Sequence, residues 1–286
     1  MQNPHAPANR DRTVEIFSIG NELLVGQVLD TNTHWLIKSI TGLGAHVRRT
    51  TMIRDEYEEI GIELQSAVLR RPRLIITTGG LGPTDDDLTL RAIAASFGRP
   101  LREDPQAYEW VAQRYAYIAT QRLGFDATMT PSRAKMAQFP EGSRPIYNPS
   151  GAAPAMALDV AEGVTLVSLP GVPSEMKDIY TQSLQPVLEE TVGAGGYVER
   201  SLVLQQGDES RLAPALIEVQ SANPAVYVKS RGQTFEDGRY LTVVLSHGGR
   251  NLEQVRAAVQ VSELFAIERV TALGYVVLRV VGDDLQ

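Results

Sequence analysis

Leu74-Ile75-Ile76-Thr77-Thr78-Gly79-Gly80-Leu81-Gly82-Pro83-Thr84-Asp85-Asp86-Asp87-Leu88-Thr89 runs from an apolar β-branched segment into glycines and then into three consecutive acids. It reads as a strand, a turn and the start of a helix. A short β-branched run suits a strand buried on both faces, and glycines let the chain turn sharply and bring backbone N–H groups close to a ligand. Thr84 then caps a helix expected over Asp85 to Phe97, which Gly98 and Pro100 close. A glycine turn feeding a helix N-terminus is an anion site, because free N–H groups and the positive end of the macrodipole point the same way. Three carboxylates there repel a bare phosphate. A divalent cation held by carboxylates and bridging to phosphate oxygens resolves the conflict. The bland alternative is dipole compensation, with Thr84 as N-cap and Asp87 at N3, each contributing about 0.5–2 kcal/mol or less. That alternative gives Gly79, Gly80 and Gly82 no purpose.

Outward from this stretch, strand alternates with helix. Val14 to Ile19 is a β-favouring run ending at Gly20, and a helical stretch carrying Trp35, Leu36, Ile40 and Leu43 follows. Ala45 to Ile53 reads as a strand, and Asp55 opens a helix with Tyr57, Ile60, Leu64 and Val68 at helical spacing. Asp55 and Glu58 fit a capping box, so Asp55 has both a structural and a functional reading. This order implies an α/β protein with a doubly wound, mostly parallel sheet whose ligands sit at the carboxyl ends of the strands. Glu22, Asp55 and the Gly79 to Asp87 turn all follow strands at that edge. Further on, Asp104 to Leu123 is a longer helix with Tyr108, Trp110, Val111, Tyr115 and Ile118, and Pro131 to Gln138 a short one carrying Arg133 and Lys135. Lys135 either neutralises a phosphate or is a solvated surface charge. A second strand–turn–helix unit runs from Val164 through Pro170-Gly171-Val172-Pro173 to about Glu190. After a Gly193 to Gly196 linker the order is βαββαβ, a smaller α+β ferredoxin-like domain. Pro214 conflicts with its first helix unless that helix begins just before it.

Composition narrows the classes. The 286 residues, 43% hydrophobic and 21% charged, describe an ordinary globular chain long enough for two domains. A net charge of -7 argues against a nucleic-acid or anionic-membrane surface. The absence of cysteine excludes disulfides, thiolate metal sites and a cysteine nucleophile, and is compatible with the expected cytoplasmic location. Residues 1–12 are polar and are expected to form a disordered tail rather than a signal peptide or anchor. No apolar run approaches the roughly 20 residues needed to span a bilayer. The glycine turn lacks the Lys-Ser/Thr pair of a P-loop and does not fit GxGxxG, so a nicotinamide cofactor is not expected. Arg54 to Ile62 imitates a Nudix core but fails its register at Ile40, His46, Asp55 and Glu56. The histidines show no metal-ligand spacing, and no GxSxG elbow is present.

Gly20-Asn21-Glu22-Leu23-Leu24-Val25-Gly26, Asp30-Thr31-Asn32-Thr33, Gly79 through Thr84, Asp86-Asp87-Leu88-Thr89, Pro140-Glu141-Gly142, Asn148 through Pro154 and Leu169 through Met176 together resemble the competence/damage-inducible protein A family. The resemblance covers Val14 to Glu190 in the family's order. It implies a molybdopterin-binding-like (MoCF) domain over 13–192 and a KH-like domain over 197–286. It further implies a metal-dependent ADP-ribose pyrophosphatase yielding AMP and ribose 5-phosphate. Many members carry a further deamidase domain, whose activity is expected to be absent from this chain.

The resemblance suggests Asp55 and Asp87 as functional carboxylates with Glu22 at the neighbouring strand end, and Mg²⁺ or a similar ion on Asp87 and Asp86. The expected ligand contacts are Gly79, Gly80, Leu81, Gly82, Pro83 and Thr84, with Asn32, Lys135, Asn148, Gly151 and Gly171. The family's Asn-Pro-Val-Gly-Thr-Ala-Pro-Gly loop departs here at Ala152 and Ala155, and Ala152 lacks a Thr hydroxyl that could bind ligand. Two other readings stand beside hydrolysis: a non-catalytic module holding molybdopterin or its adenylylated form, and a competence or damage-response interaction protein. The acidic balance disfavours direct DNA contact, and no Gly-x-x-Gly clamp flanked by basic residues appears in the second domain. The partners expected are a small nucleotide diphosphate or pterin and further copies of the chain, without nucleic acid or membrane.

Overall fold

The computed structural model describes residues 12–205, 208–235 and 238–285. The tail expected over 1–12 lies outside them except for Arg12. That residue is fully buried and donates from Nε to the Val192 carbonyl, so it is part of the folded unit. The described residues divide into two compact units, one comprising 12–38 with 47–192, the other Gly193 onward with Ser39–His46.

The first unit and the Ser39–His46 segment between its parts contain, in order, β1 (Thr13–Ile19), α1 (Asn21–Leu24), α2 (Thr31–Gly42), β2 (His46–Ile53), α3 (Tyr57–Leu69), β3 (Leu74–Thr78) and α4 (Thr89–Ser96). It continues with β4 (Leu101–Glu103), α5 (Pro105–Gln121), α6 (Pro131–Lys135), β5 (Gln138–Pro140) and β6 (Arg144–Ile146). β7 (Ala155–Ala161), β8 (Val164–Leu169), α7 (Pro173–Gln182) and α8 (Gln185–Thr191) complete it. The helix expected to run unbroken to Glu190 is therefore two helices, and Pro186 sits in the first turn of the second.

The main sheet has the order β2-β1-β3-β8-β7-β6. β3 is parallel to β1 on one side and to β8 on the other, and every residue of β1, β3 and β8 is buried, as the apolar runs require. Strict strand–helix alternation fails at β7 and β8, a hairpin closed by Glu162-Gly163 with Gly163 at φ 73°. The sheet is mostly parallel with an antiparallel edge. Because Ser18 pairs with Thr78's strand in register and Thr78 with Leu169, the turns after β1, β3 and β8 leave the sheet side by side. The Gly79 N–H donates to the Leu169 carbonyl at 3.0 Å and that of Gly20 to the Ile53 carbonyl at 3.2 Å, tying four strand ends into one edge.

Two polar devices fix this unit. Glu15 of β1 is fully buried, and Arg70 closes on it with Nε 2.9 Å from Oε1 and Nη2 2.5 Å from Oε2; such a pair survives burial only with good geometry and both partners present. α5 is started by Asp104, whose carboxylate accepts from the Ala107 N–H at 2.9 Å ahead of Pro105 at the first helical position. Asp104→Ala is expected to cost about 0.5–2 kcal/mol, measured as a lower urea midpoint at unchanged m value.

The second unit is β9 (Gly196–Leu204), α9 (Glu209–Ala222), β10 (Tyr227–Phe235), β11 (Gly238–Gly249), α10 (Leu252–Ala272) and β12 (Val277–Leu285). Its sheet order is β10-β11-β9-β12, with every neighbour antiparallel. The βαββαβ order expected from the sequence is present. Leu202, Leu204, Val243 and Leu245 face Val219 and Val259 of the helices in one core. α9 continues through Pro214. The carbonyl that loses its donor belongs to exposed Ser210, one turn earlier, where water can replace the bond. Among the described residues no helix is long and apolar enough to cross a membrane.

Candidate functional site

After Thr78 the chain must leave a buried strand and reverse within a few residues. Gly79 and Gly80 do this with φ 105° and 66°, a region closed to most side chains. A β-carbon on Gly79 would lie 2.1 Å from the Ile19 carbonyl oxygen, and one on Gly80 would lie 2.2 Å from Thr89 Oγ1. Thr89 closes the turn, donating from Oγ1 to the Gly79 carbonyl at 2.9 Å and from N–H to that of Gly80 at 3.3 Å.

The helix expected from Asp85 begins only at Thr89. Asp87 instead folds back on Thr84, its Oδ2 accepting from the Thr84 N–H at 2.9 Å and Oγ1 at 2.5 Å. Thr84 is therefore not an N-cap, nor is Asp87 an N3 residue: the pair closes a separate acidic turn ahead of the helix. Leu88, at the cap position, has no side chain able to cap. Asp55 reaches across from the loop after β2, and its Oδ1 accepts from the Leu88 N–H at 3.4 Å. The capping box at Asp55 and Glu58 is absent, because α3 starts at Tyr57 with Glu56 at its cap and Asp55 lies one residue too far back.

Asp55 is half-buried, and burial is the main cause that pushes its carboxyl up to about 6. The Leu88 N–H pulls the other way, while the charges of Asp87, Asp86 and Glu22 add to the rise. The Asp86 carboxyl is held below its usual value chiefly by the Thr84 hydroxyl, with Lys135 contributing. Two environments thus push neighbouring carboxylates apart, an arrangement found where acids divide chemical roles. The Glu22 carboxylate folds over Gly20, where a β-carbon would meet Oε1 at 2.4 Å, and that of Asp87 covers Gly82, where one would meet Oδ2 at 2.6 Å.

These groups line one cavity of about 430 Å³. It brings together Glu22, Asp55, Asp86, Asp87, the Gly79–Pro83 backbone and Gly171. Among the described residues the N–H groups of Gly80, Leu81 and Gly82 find no acceptor. Other expected contacts lie elsewhere. Thr84 is not on the cavity wall, and Lys135 lines a separate cleft of about 20 Å³ behind the acidic turn. Its Nζ donates to the carbonyls of Thr84 and Asp87, the latter at 2.8 Å, so it pins the turn from behind. Asn32 donates from Nδ2 to the Gly171 carbonyl at 2.7 Å, and its buried Oδ1 has no partner among the described residues. Asn148 is buried and spends its amide on the Ala153 carbonyl and Glu175 Oε2 and on the N–H groups of Ser150 and Gly151, shaping the loop. Gly151 lines a neighbouring cavity.

Glu175 and Tyr115 line the acidic cavity without having been expected there. Glu175 carried a signal, since it is the acid in the first turn of α7 directly after the Gly171 turn. Tyr115 looked like one more apolar helix position. Among the described residues no three His, Cys, Asp or Glu side chains converge closely enough to hold a metal ion by themselves.

The chain's relatives agree with this architecture. A family model described as a probable molybdopterin binding domain matches residues 15–190. A protein of Aeropyrum pernix is 42% identical over 256 residues, covering 89% of this chain and 91% of its own length. A CinA-like protein of Prochlorococcus marinus is 36% identical over 249 residues, 82% of this chain and 56% of that protein. Among solved structures, the protein CinA from Thermoplasma acidophilum, described as of unknown function, is 33% identical with a TM-score of 0.55, over 64% of this chain and 99% of its own. The chain belongs to the competence/damage-inducible protein A (CinA) family, with an N-terminal molybdopterin-binding-type MoCF domain.

Proposed function

We propose that the acidic cavity hydrolyses the diphosphate bond of a nucleoside diphosphate sugar, ADP-ribose being the leading substrate and AMP and ribose 5-phosphate the products. The observation that carries this reading is Asp55, a half-buried carboxyl pushed up to about 6, facing the same cavity as a turn of unpartnered N–H groups. A base with that affinity for protons is ionised at neutral pH and still basic enough to take a proton from water. Water oxygen bonds to phosphorus, Asp55 receives the proton, and the bridging oxygen leaves with the departing phosphate. The N–H groups of Gly80, Leu81 and Gly82 receive the charge that builds on the phosphoryl oxygens. Glu22 orients the water from the end of β1.

The carboxylates fit a divalent ion only as a partial ligand set. Mg²⁺ is typically held by one or two carboxylates, with waters and substrate phosphates filling the remaining positions; Asp86 and Asp87 match that description, and the lack of a three-ligand cluster does not conflict with it. When bound, the ion would neutralise diphosphate charge. Incubation with ADP-ribose and Mg²⁺ is expected to release AMP, and Asp87→Asn to slow release by about 100-fold or more. No AMP from the wild-type protein, or undiminished turnover in Asp87→Asn, sinks the proposal.

The matching family model's description favours a second reading, in which the same cavity holds a pterin without hydrolysing it. Tight pterin binding with no turnover of any diphosphate would select it.

A further inference from the structure

The geometry points to a second subsite, formed by Trp110, Arg114, Tyr117 and Tyr147, that takes the planar nitrogen-heteroaromatic ring of the ligand whose diphosphate lies in the acidic cavity. This deepens the reading above and rests on it. Trp110, Gln113, Arg114 and Tyr117 fall at i, i+3, i+4 and i+7 on α5, one face of the helix. They wall a cavity of about 410 Å³, completed by Tyr147 and the Asn148–Pro154 loop, a size within the range of small-molecule sites. Ala152 lines this cavity and the acidic one alike, and Tyr115 of the same helix lines the acidic one, so the two spaces adjoin across a single loop and a single helix.

The aromatic groups here are not core. α5 buries Ala107 and Val111 on another face, whereas Tyr147 and Tyr117 are 47% and 56% exposed. Their positions are nonetheless fixed. The Trp110 and Tyr147 rings meet edge to face at 5.3 Å, and Arg114 donates to the Ser150 carbonyl with its guanidinium 5.6 Å from the Tyr117 ring centre. Part-exposed aromatic rings beside an anchored guanidinium and the Gln113 amide suit a flat ring edged with acceptors and donors, as in a purine or a pterin. A sugar phosphate offers nothing to stack. Asn148 cannot serve this end of the ligand directly, because its amide is committed to shaping the loop between the two spaces.

The test is calorimetric binding, in Mg²⁺, of ADP, GDP, 6-hydroxymethylpterin diphosphate and ringless inorganic pyrophosphate to the full chain and to Tyr147→Leu and Tyr117→Leu. Both tyrosines are exposed, and circular dichroism checks that the variants fold. At least one ring-bearing ligand is expected to bind about 10-fold or more tighter than pyrophosphate, and each variant to lose about 10-fold of that affinity while pyrophosphate binding is unchanged. The purine and pterin arms say which ring is preferred. Pyrophosphate bound as tightly as every ring-bearing ligand, or ring affinity unchanged in both variants, overturns the subsite and leaves the hydrolytic reading standing. No binding of any of the four overturns both, and ring-dependent binding without AMP release from ADP-ribose removes hydrolysis alone.

Discussion

Asp55→Asn is expected to lower the turnover of ADP-ribose by about 10²–10⁴-fold, the usual contribution of a positioned general base, and at the same time to make the protein more stable. The two effects share one cause. Burial and three neighbouring acids raise the Asp55 carboxyl to about 6, while in the unfolded chain it titrates near 3.9. Between about pH 4 and pH 6 the native state holds more of this proton than the unfolded state, so stability falls as pH rises through that window and stays lower above it. At pH 7 the ionised Asp55 opposes folding. A shift of about two units corresponds to about 3 kcal/mol for a group shielded from solvent, and screening at this half-exposed position reduces it to about 1 kcal/mol. Asparagine keeps the shape and removes the charge. Thermal denaturation at pH 7 should show a higher Tm for the variant, and the gain should shrink toward pH 4. A variant that is inactive and also less stable would mean that Asp55 serves the fold through its bond to Leu88.

Gly79→Ala is the substitution expected to damage the fold most. The residue sits at φ 105°, and its new methyl group would lie 2.1 Å from the backbone carbonyl oxygen of Ile19 at the end of β1. That oxygen cannot move without moving a central strand. Backbone strain of about 1–3 kcal/mol and overpacking of about 1–3 kcal/mol together give an expected loss of about 2–6 kcal/mol, read from urea denaturation. Gly124→Ala is the control: Gly124 has φ 77° and open space around the new methyl group, so it carries the conformational cost alone. Equal losses at the two positions would show that the close approach of β1 and β3 at Gly79 contributes nothing.

The sheet was legible because its strands are short β-branched runs that need no partner to be recognised, as in Val14 to Ile19 and Leu74 to Thr78. The βαββαβ order of the second unit was legible for the same reason, and Pro214 proved compatible with its helix because its orphaned carbonyl is exposed. What misled was local chemistry that satisfies more than one structure. Thr84 followed by three acids has the composition of a capped first turn, and sequence does not say that Asp87 will bend back onto Thr84 and delay the helix to Thr89. Asp55 and Glu58 have capping-box spacing, but a cap depends on where the helix starts, and a one-residue delay leaves Asp55 bonded to Leu88 instead. Lys135 was expected to contact the ligand, but that its ammonium binds the backbone carbonyls of the acidic turn instead is a tertiary fact. The stripe from Trp110 to Tyr117 has helical periodicity on a helix that also carries true core residues, and only packing shows which face looks inward.

The pH dependence of AMP release from ADP-ribose tests the central claim most directly, since it asks whether the perturbed carboxylate and the chemistry are the same thing. At saturating Mg²⁺ the wild-type rate is predicted to rise with pH along an acid limb set by ionisation of Asp55, and that limb is predicted to vanish in Asp55→Asn. Release of AMP with the same limb in both proteins, or no release at any pH, contradicts the account.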